Sequence, residues 1–298
     1  MNDDNSLQTK LLDIRENNAI IKEVKFITSL INPEFYFQYF DQAFLDVEKL
    51  FGGHYPGFRA CNTRYHDIKH TTIVLLAMAR LLHGAYVAGI EFTDKDINIG
   101  LIGALMHDTG YIQSQDDLAG TGAKYTLIHV QRSIIFFQNY YAQEKYFADD
   151  LNNFHDILYC TGIKTQIGNV KFSSPKIEIL GKILGTADLL GQMADRFYLE
   201  KLVFLFHEFE EAKVPGFASE LDLLSKTVDF YSKTKQMFAD DLGNVNRYMI
   251  NHFKERWNIE KDLYAEAIEK NINYLKYILK SNYKNLHACL RRNAITLQ

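Results

Sequence analysis

An all-α fold is what this sequence predicts, on three observations. Only 4 prolines and 17 glycines fall among 298 residues, so few positions force regular structure to end. Apolar residues recur at three- and four-residue spacing in segment after segment. No stretch of any length alternates with the two-residue period of a half-buried strand, which makes helix-on-helix packing the simplest architecture.

In chain order, residues 7–30 read as a leading amphipathic helix, and Pro33, at a first-turn position, opens a second through about Leu50. Gly52-Gly53-His54-Tyr55-Pro56-Gly57 then breaks the pattern. The irregular loop that continues to Tyr65 carries aromatic, Arg and His side chains fit for the rim of a pocket. From about His66 to Gly84, the residues Ile73, Leu75, Leu76, Met78, Ala79 and Leu82 give a wide apolar face, expected at the centre of the fold. Thr93 is an N-cap followed by the first-turn acids Asp94 and Asp96, and the helix it opens runs to His107-Asp108. A polar loop at 109–122 precedes helices at roughly 123–141 and 143–160. Residues 161–174 form the longest Gly/Ser/Asn-containing connection, and Ser174-Pro175 starts the helix that carries Asp188. Beyond Asp195 the chain is aromatic-rich to about Glu211, and helices follow near 219–240, 243–257 and 259–280. The expected organisation is N-terminal helices at 1–50 packed on a metal-binding catalytic core at 51–215. C-terminal helices at 216–298 extend the same domain.

Composition excludes several function classes. The 33 basic and 37 acidic residues leave a net charge of −4, and no basic stretch has the length or aromatic interleaving of a nucleic-acid groove. The longest apolar runs, such as Ile73–Ala79, fall well short of the roughly 18 residues of a membrane span. Met1–Lys10 is acidic and polar, unlike a secretion signal. Cys61, Cys160 and Cys289 form no close-spaced motif and suit a reducing cytoplasm, which is the expected compartment.

The chemistry concentrates where the apolar run Leu101–Met106 ends abruptly in His107-Asp108. A carboxylate at the end of a buried helix is costly unless paired or bound to metal. Neighbouring helical residues point about 100° apart, so other elements must complete a site. His66 and His70 are four residues apart and share a helix face, which lets His70 bind metal while His66 holds a proton beside whatever is bound. His129 and His155 fall in the next two helices, and Asp188 sits among Ala187, Leu189 and Leu190, where only a metal, Lys182 or Arg196 could meet its charge. His70, His107, Asp108, His129, His155 and Asp188 thus suffice for one or two divalent ions, with Asp108 bridging. His54, His83, His207, His252 and His287 belong to no such constellation.

His70, His107-Asp108 and Asp188, over roughly residues 50–210, resemble the ligand set of the HD-domain metal-dependent phosphohydrolases, an all-helical superfamily. Tyr65-His66-Asp67-Ile68-Lys69-His70 is similar to the Tyr-His-Asn-x-x-His signature of the class I cyclic nucleotide phosphodiesterases, and Ala187-Asp188-Leu189 to their later Ala-Asp segment. The resemblance implies a phosphodiesterase-like helical bundle in which His66 protonates the leaving oxygen and His70 binds metal. Asp67 replaces the family's Asn, Thr109-Gly110-Tyr111 stands where a further His is usual, and Gln236-Met237-Phe238 is a weak echo of the nucleotide-gripping Gln and Phe. His129 and His155 resemble the extra ligands of dinuclear HD proteins, including mixed-valent di-iron oxygenases.

The expected function is therefore hydrolysis of a phosphoester, of the nucleotide phosphodiester class, with His66 and Asp108 catalytic. Tyr65, Arg59 and Tyr111 are expected at the substrate, with Fe, Mn, Mg, Ni or Zn as the ion. A small phosphoester or nucleotide is the expected ligand, a homodimer the expected assembly, and neither a nucleic acid polymer nor a membrane is an expected partner. A di-iron oxygenase on the same ligands and a nucleotide-binding sensor without turnover are the alternatives.

Overall fold

A computed structural model describes Leu11 and residues 16–162, 167–281 and 289–290; the part of the expected 7–30 helix before position 16 lies largely outside them. The fold is all-α. Among the described residues there is no strand, only an isolated antiparallel bridge between Phe58 and Ser114. The helices are α1 (Asn17–Ile31), α2 (Gln38–Phe51), α3 (Ile68–Val87), α4 (Asp94–Met106), α5 (His129–Tyr140), α6 (Leu151–Tyr159), α7 (Pro175–Ala194), α8 (Tyr198–Glu211), α9 (Glu220–Asp240), α10 (Tyr248–Trp257) and α11 (Leu263–Ser281).

Helix α3 is the axis. It buries every residue from His70 to Ala85 except Ile73, so it is apolar around its circumference rather than along one face. Such a helix needs cover on all sides. It receives it from α1, α4, α7 and α10. The N-terminal α1 and the C-terminal α10 therefore pack on the same helix, and one buried apolar cluster runs from Ile20 to Leu290. Helix α10 approaches closely because Gly84 has no side chain; a Cβ there would lie 1.8 Å from the Tyr248 carbonyl oxygen.

Side-chain caps set several boundaries. Thr93 accepts from the Asp96 amide while Asp96 reaches back to the Thr93 amide, a full capping box. Ser174 accepts from the Ile177 amide ahead of Pro175, and Ser219 from the Asp222 amide. Other boundaries depart from the helical pattern. Pro33 lies in a turn, where Asn32 accepts the Glu34 amide, and α2 begins only at Gln38. The expected helix at 143–160 is divided. Glu144 accepts the Tyr146 amide, a 3₁₀ turn covers Lys145–Asp150, and α6 follows. Likewise a 3₁₀ turn at Gly122–Tyr125 precedes α5, and another at Val245–Arg247 leads into α10.

No described helix is long and apolar enough to cross a membrane. Cys61, Cys160 and Cys289 are free thiols.

Candidate metal centre

Local structure places four groups. Asp67 caps α3 by accepting the His70 amide at 2.8 Å, which sets His70 in the first turn facing inward. Helix α4 ends at Met106, and the chain passes through His107 and Asp108 into a tight 3₁₀ turn at Thr109–Tyr111. Ser133 of α5 locks that turn. Its hydroxyl donates to the His107 carbonyl at 2.6 Å and accepts the Gly110 amide at 2.9 Å. Asp188 projects from the middle of α7, which packs beside both α3 and α4.

These side chains converge. Asp108 Oδ2 lies 3.2 Å from both His70 Nε2 and His107 Nε2, and the two imidazole nitrogens are 3.4 Å apart. Asp188 Oδ1 lies 3.4 Å from His70 Nε2 and 3.9 Å from His107 Nε2. A divalent ion holds imidazole nitrogen at about 2.0–2.1 Å, so donors sharing one ion lie about 3.0–3.4 Å apart. Most of the observed separations match that spacing.

Proton placement points the same way. His107 Nδ1 donates to the Ala104 carbonyl at 2.8 Å, because that carbonyl can only accept. In the neutral ring the Nε2 lone pair therefore faces Asp108 Oδ2, itself an acceptor that is buried without a hydrogen-bond partner. His129 repeats the arrangement: Nδ1 donates to the Thr126 carbonyl at 2.7 Å, and Nε2 faces Asp108 Oδ1 at 3.8 Å. Acceptors gathered around one point in a buried space are met either by a proton on His70 or by a bound cation. His70, His107, Asp108 and Asp188 fit a divalent ion on this ground, and His129 extends the set on the far oxygen of Asp108.

The electrostatics agree. Burial alone would push His70 down, but the Asp108 and Asp188 carboxylates outweigh it and hold His70 at about 10. His107 is raised against burial by the Asp108 charge. Burial would raise Asp108, yet His107 and His70 keep it well below the usual carboxylate range. His129 is lowered by burial, which the Asp108 charge only partly offsets. The carboxylates thus demand positive charge among these rings.

A second group stands beside the first. His66 Nδ1 lies 2.6 Å from Glu208 Oε2, and Glu208 Oε1 accepts the Arg64 and Tyr65 amides at 2.8 and 2.7 Å. The His66 ring stacks on Tyr111 at 4.2 Å between centroids, and Tyr111 stacks in turn on His129 at 4.6 Å. The 3.4 Å approach of the Tyr111 hydroxyl to His66 Nε2 belongs to this parallel stack.

Several expected site residues are placed elsewhere. His155 does not join the cluster: its side chain is 47% exposed, bonded to Asp156 at 2.9 Å and stacked on Tyr159. The reason is helical phase, since Phe154, Ile157 and Leu158 turn into the core and carry His155 to the outside of α6. Arg59 donates to the Asp117 carbonyl and ties two loops together. Tyr65 is buried, with its hydroxyl donated to Gln192 Oε1 at 2.6 Å, and Tyr111 is buried inside the ring stack, so both support the site from within. Gln236 is exposed on α9 while Phe238 turns into the core, so the pair cannot grip one base. Lys182 is held by Glu178 at 2.6 Å and leaves the Asp188 charge to the imidazoles.

Glu208, Gln192 and Ser133 are the residues that sequence reasoning missed. Glu208 did leave a trace, being an acid one turn after Phe204 among the mostly apolar buried residues of α8. Gln192 follows Asp188 by one turn.

The chain belongs to the Npun_R2479-like family, which matches residues 56–269, a span that includes every group of the centre. No curated protein and no solved structure matches the chain.

Proposed function

We propose that this member of the Npun_R2479-like family is a metal-dependent phosphohydrolase of the HD-domain type, cleaving a phosphoester of the nucleotide phosphodiester class. The observation that carries the reading is the convergence of His70, His107, Asp108 and Asp188 with a carboxylate-held histidine, His66, next to them. Those four residues would hold the ion, with manganese, iron, magnesium, nickel and zinc all compatible with nitrogen and oxygen donors. A divalent ion bound there acidifies a water and offsets charge on the phosphoryl oxygens.

The remaining chemistry belongs to the chain. Glu208 occupies His66 Nδ1, so Nε2 is the atom left to hold a proton for the departing alkoxide. The stacked Tyr111 ring restricts rotation of that imidazole, and both rings are largely shielded from water. General acid help of this kind is typically worth about 10² to 10⁴ in rate. An oxygenase sharing the six-residue set would lack one ligand, because His155 lies on the outer face of α6.

The test is release of nitrophenol from a generic phosphodiester by protein reloaded with manganese or iron. Turnover in the parent, abolished in Asp108→Ala and reduced in His66→Ala, is expected. A protein carrying stoichiometric metal but inert with every ion would sink the hydrolase reading and lead to oxygen-consumption assays.

A further inference from the structure

Of the two carboxylates at the centre, Asp108 is held by its tight turn and is 2% exposed, whereas Asp188 is 16% exposed and projects from the middle of α7. An aspartate side chain within a helix can turn about two bonds. Something must select the rotamer that brings Oδ1 to His70.

Gln192 lies one helical turn beyond Asp188 on the same face of α7. Its Nε2 donates to Asp188 Oδ1 at 3.4 Å, the same oxygen that faces His70 and His107. An amide can flip, and flipped it would present an oxygen to the carboxylate. The Asp188 carboxylate, which can only accept, disfavours this because a second oxygen facing it would repel. With the NH₂ turned to Asp188, the phenol of Tyr65, buried away from water, donates to Gln192 Oε1 at 2.6 Å and anchors the amide from behind. The Tyr65 main chain is fixed from the other side, its amide bound to the Glu208 carboxylate that also holds His66.

We infer that Tyr65 and Gln192 form a positioning chain for the metal ligand Asp188, through which one residue, Tyr65, sets the metal-binding carboxylate and the His66 acid in fixed relation. This rests on the metal-centre reading above. Outer partners of metal ligands govern ligand orientation, and their loss typically costs about 10- to 100-fold in metal affinity.

The experiment measures manganese binding to the metal-stripped full-length protein by electron paramagnetic resonance, for the parent, Tyr65→Phe, Gln192→Met, their double variant and Asp188→Ala. Phe keeps the Tyr65 ring in place, and Met keeps the volume of Gln192. Each single substitution is expected to weaken binding about 10- to 100-fold. The double variant is expected to bind no worse than the weaker single, because both break one chain. The visible spectrum of the cobalt-loaded protein should shift in the same way in both singles, a change that general loosening of the fold would not produce. Parental affinity in Gln192→Met alongside loss in Asp188→Ala overturns the positioning chain and leaves the metal centre standing. Additive losses in the double variant overturn it too. Parental affinity in Asp188→Ala removes both the chain and the ligand set it serves.

Discussion

Glu208 meets His66 across 142 residues of chain, its Oε2 lying 2.6 Å from the imidazole Nδ1. The contact joins the end of α8 to the loop entering α3 and leaves His66 Nε2, 3.4 Å from the Tyr111 hydroxyl, as the ring nitrogen that Glu208 does not hold. A charge-assisted hydrogen bond of this length is strong enough to fix both the ring and its tautomer.

If His66 supplies a proton to the leaving oxygen, the need for it grows as the leaving group becomes more basic. Glu208→Gln is therefore expected to lower kcat about 10²-fold on an alkyl phosphodiester and distinctly less on a nitrophenyl one. Rate measurements on the two esters decide the matter. Equal losses on both would mean that Glu208 supports the fold and not the acid.

Metal loading should stabilise the protein, because only the folded chain gathers these ligands. Manganese at 100 times its Kd is worth about 2.7 kcal/mol, read as a rise in the thermal midpoint. Asp108→Asn should lose the rise. His155→Ala, altering an exposed side chain paired with Asp156, should keep it and change stability by no more than about 0.5 kcal/mol. Loss of the rise in His155→Ala would bring that histidine back into the site.

Gly110 lets the turn after Asp108 touch the start of α5; a Cβ there would lie 1.9 Å from the His129 carbonyl oxygen. Backbone cannot yield as a side chain can. Gly110→Ala should cost about 3 kcal/mol in urea denaturation and should weaken manganese binding as His107 and Asp108 shift. Parental stability would show that α5 is free to move.

The buried pair His83 and His252, with Nδ1 atoms 3.1 Å apart, predicts acid lability far from the metal centre. Burial, helped by the Arg256 charge, pushes His83 down to about 4, and burial with Arg80 pushes His252 well below its usual range. An unfolded imidazole titrates near about 6.5. The unfolded chain therefore binds more protons between those values, so stability is complete above about pH 6.5 and falls as pH drops toward 4. Between about pH 7 and about pH 5 the loss from His83 alone is about 2 kcal/mol. Urea midpoints should fall less steeply with acid in His83→Gln than in the parent; parallel slopes would assign the acid loss to other groups.

Much of the centre was legible in the chain because its cues are local. An apolar run that stops at His107-Asp108 and an acid between Ala187 and Leu189 each carry their meaning within a few residues. His66, expected on one helix face with His70, instead lies in the loop before the Asp67 cap, because that cap starts α3 only at Ile68. The phase of α6 was legible too, since Phe154, Ile157 and Leu158 mark an inward face that excludes His155, though the order of the histidines along the chain suggested otherwise.

The sequence by itself determined the helical class, the caps at Thr93 and Ser174, and the four groups that meet at the centre. Periodicity and capping act over one or two turns and are written directly in residue order. Tertiary structure alone decided that Glu208 holds His66, that Gln192 and Tyr65 hold Asp188, and that α3 is enclosed by α1, α4, α7 and α10. Those outcomes depend on which helix face meets which, and packing of apolar surfaces is non-directional, so it carries no address in the sequence until the whole core has assembled.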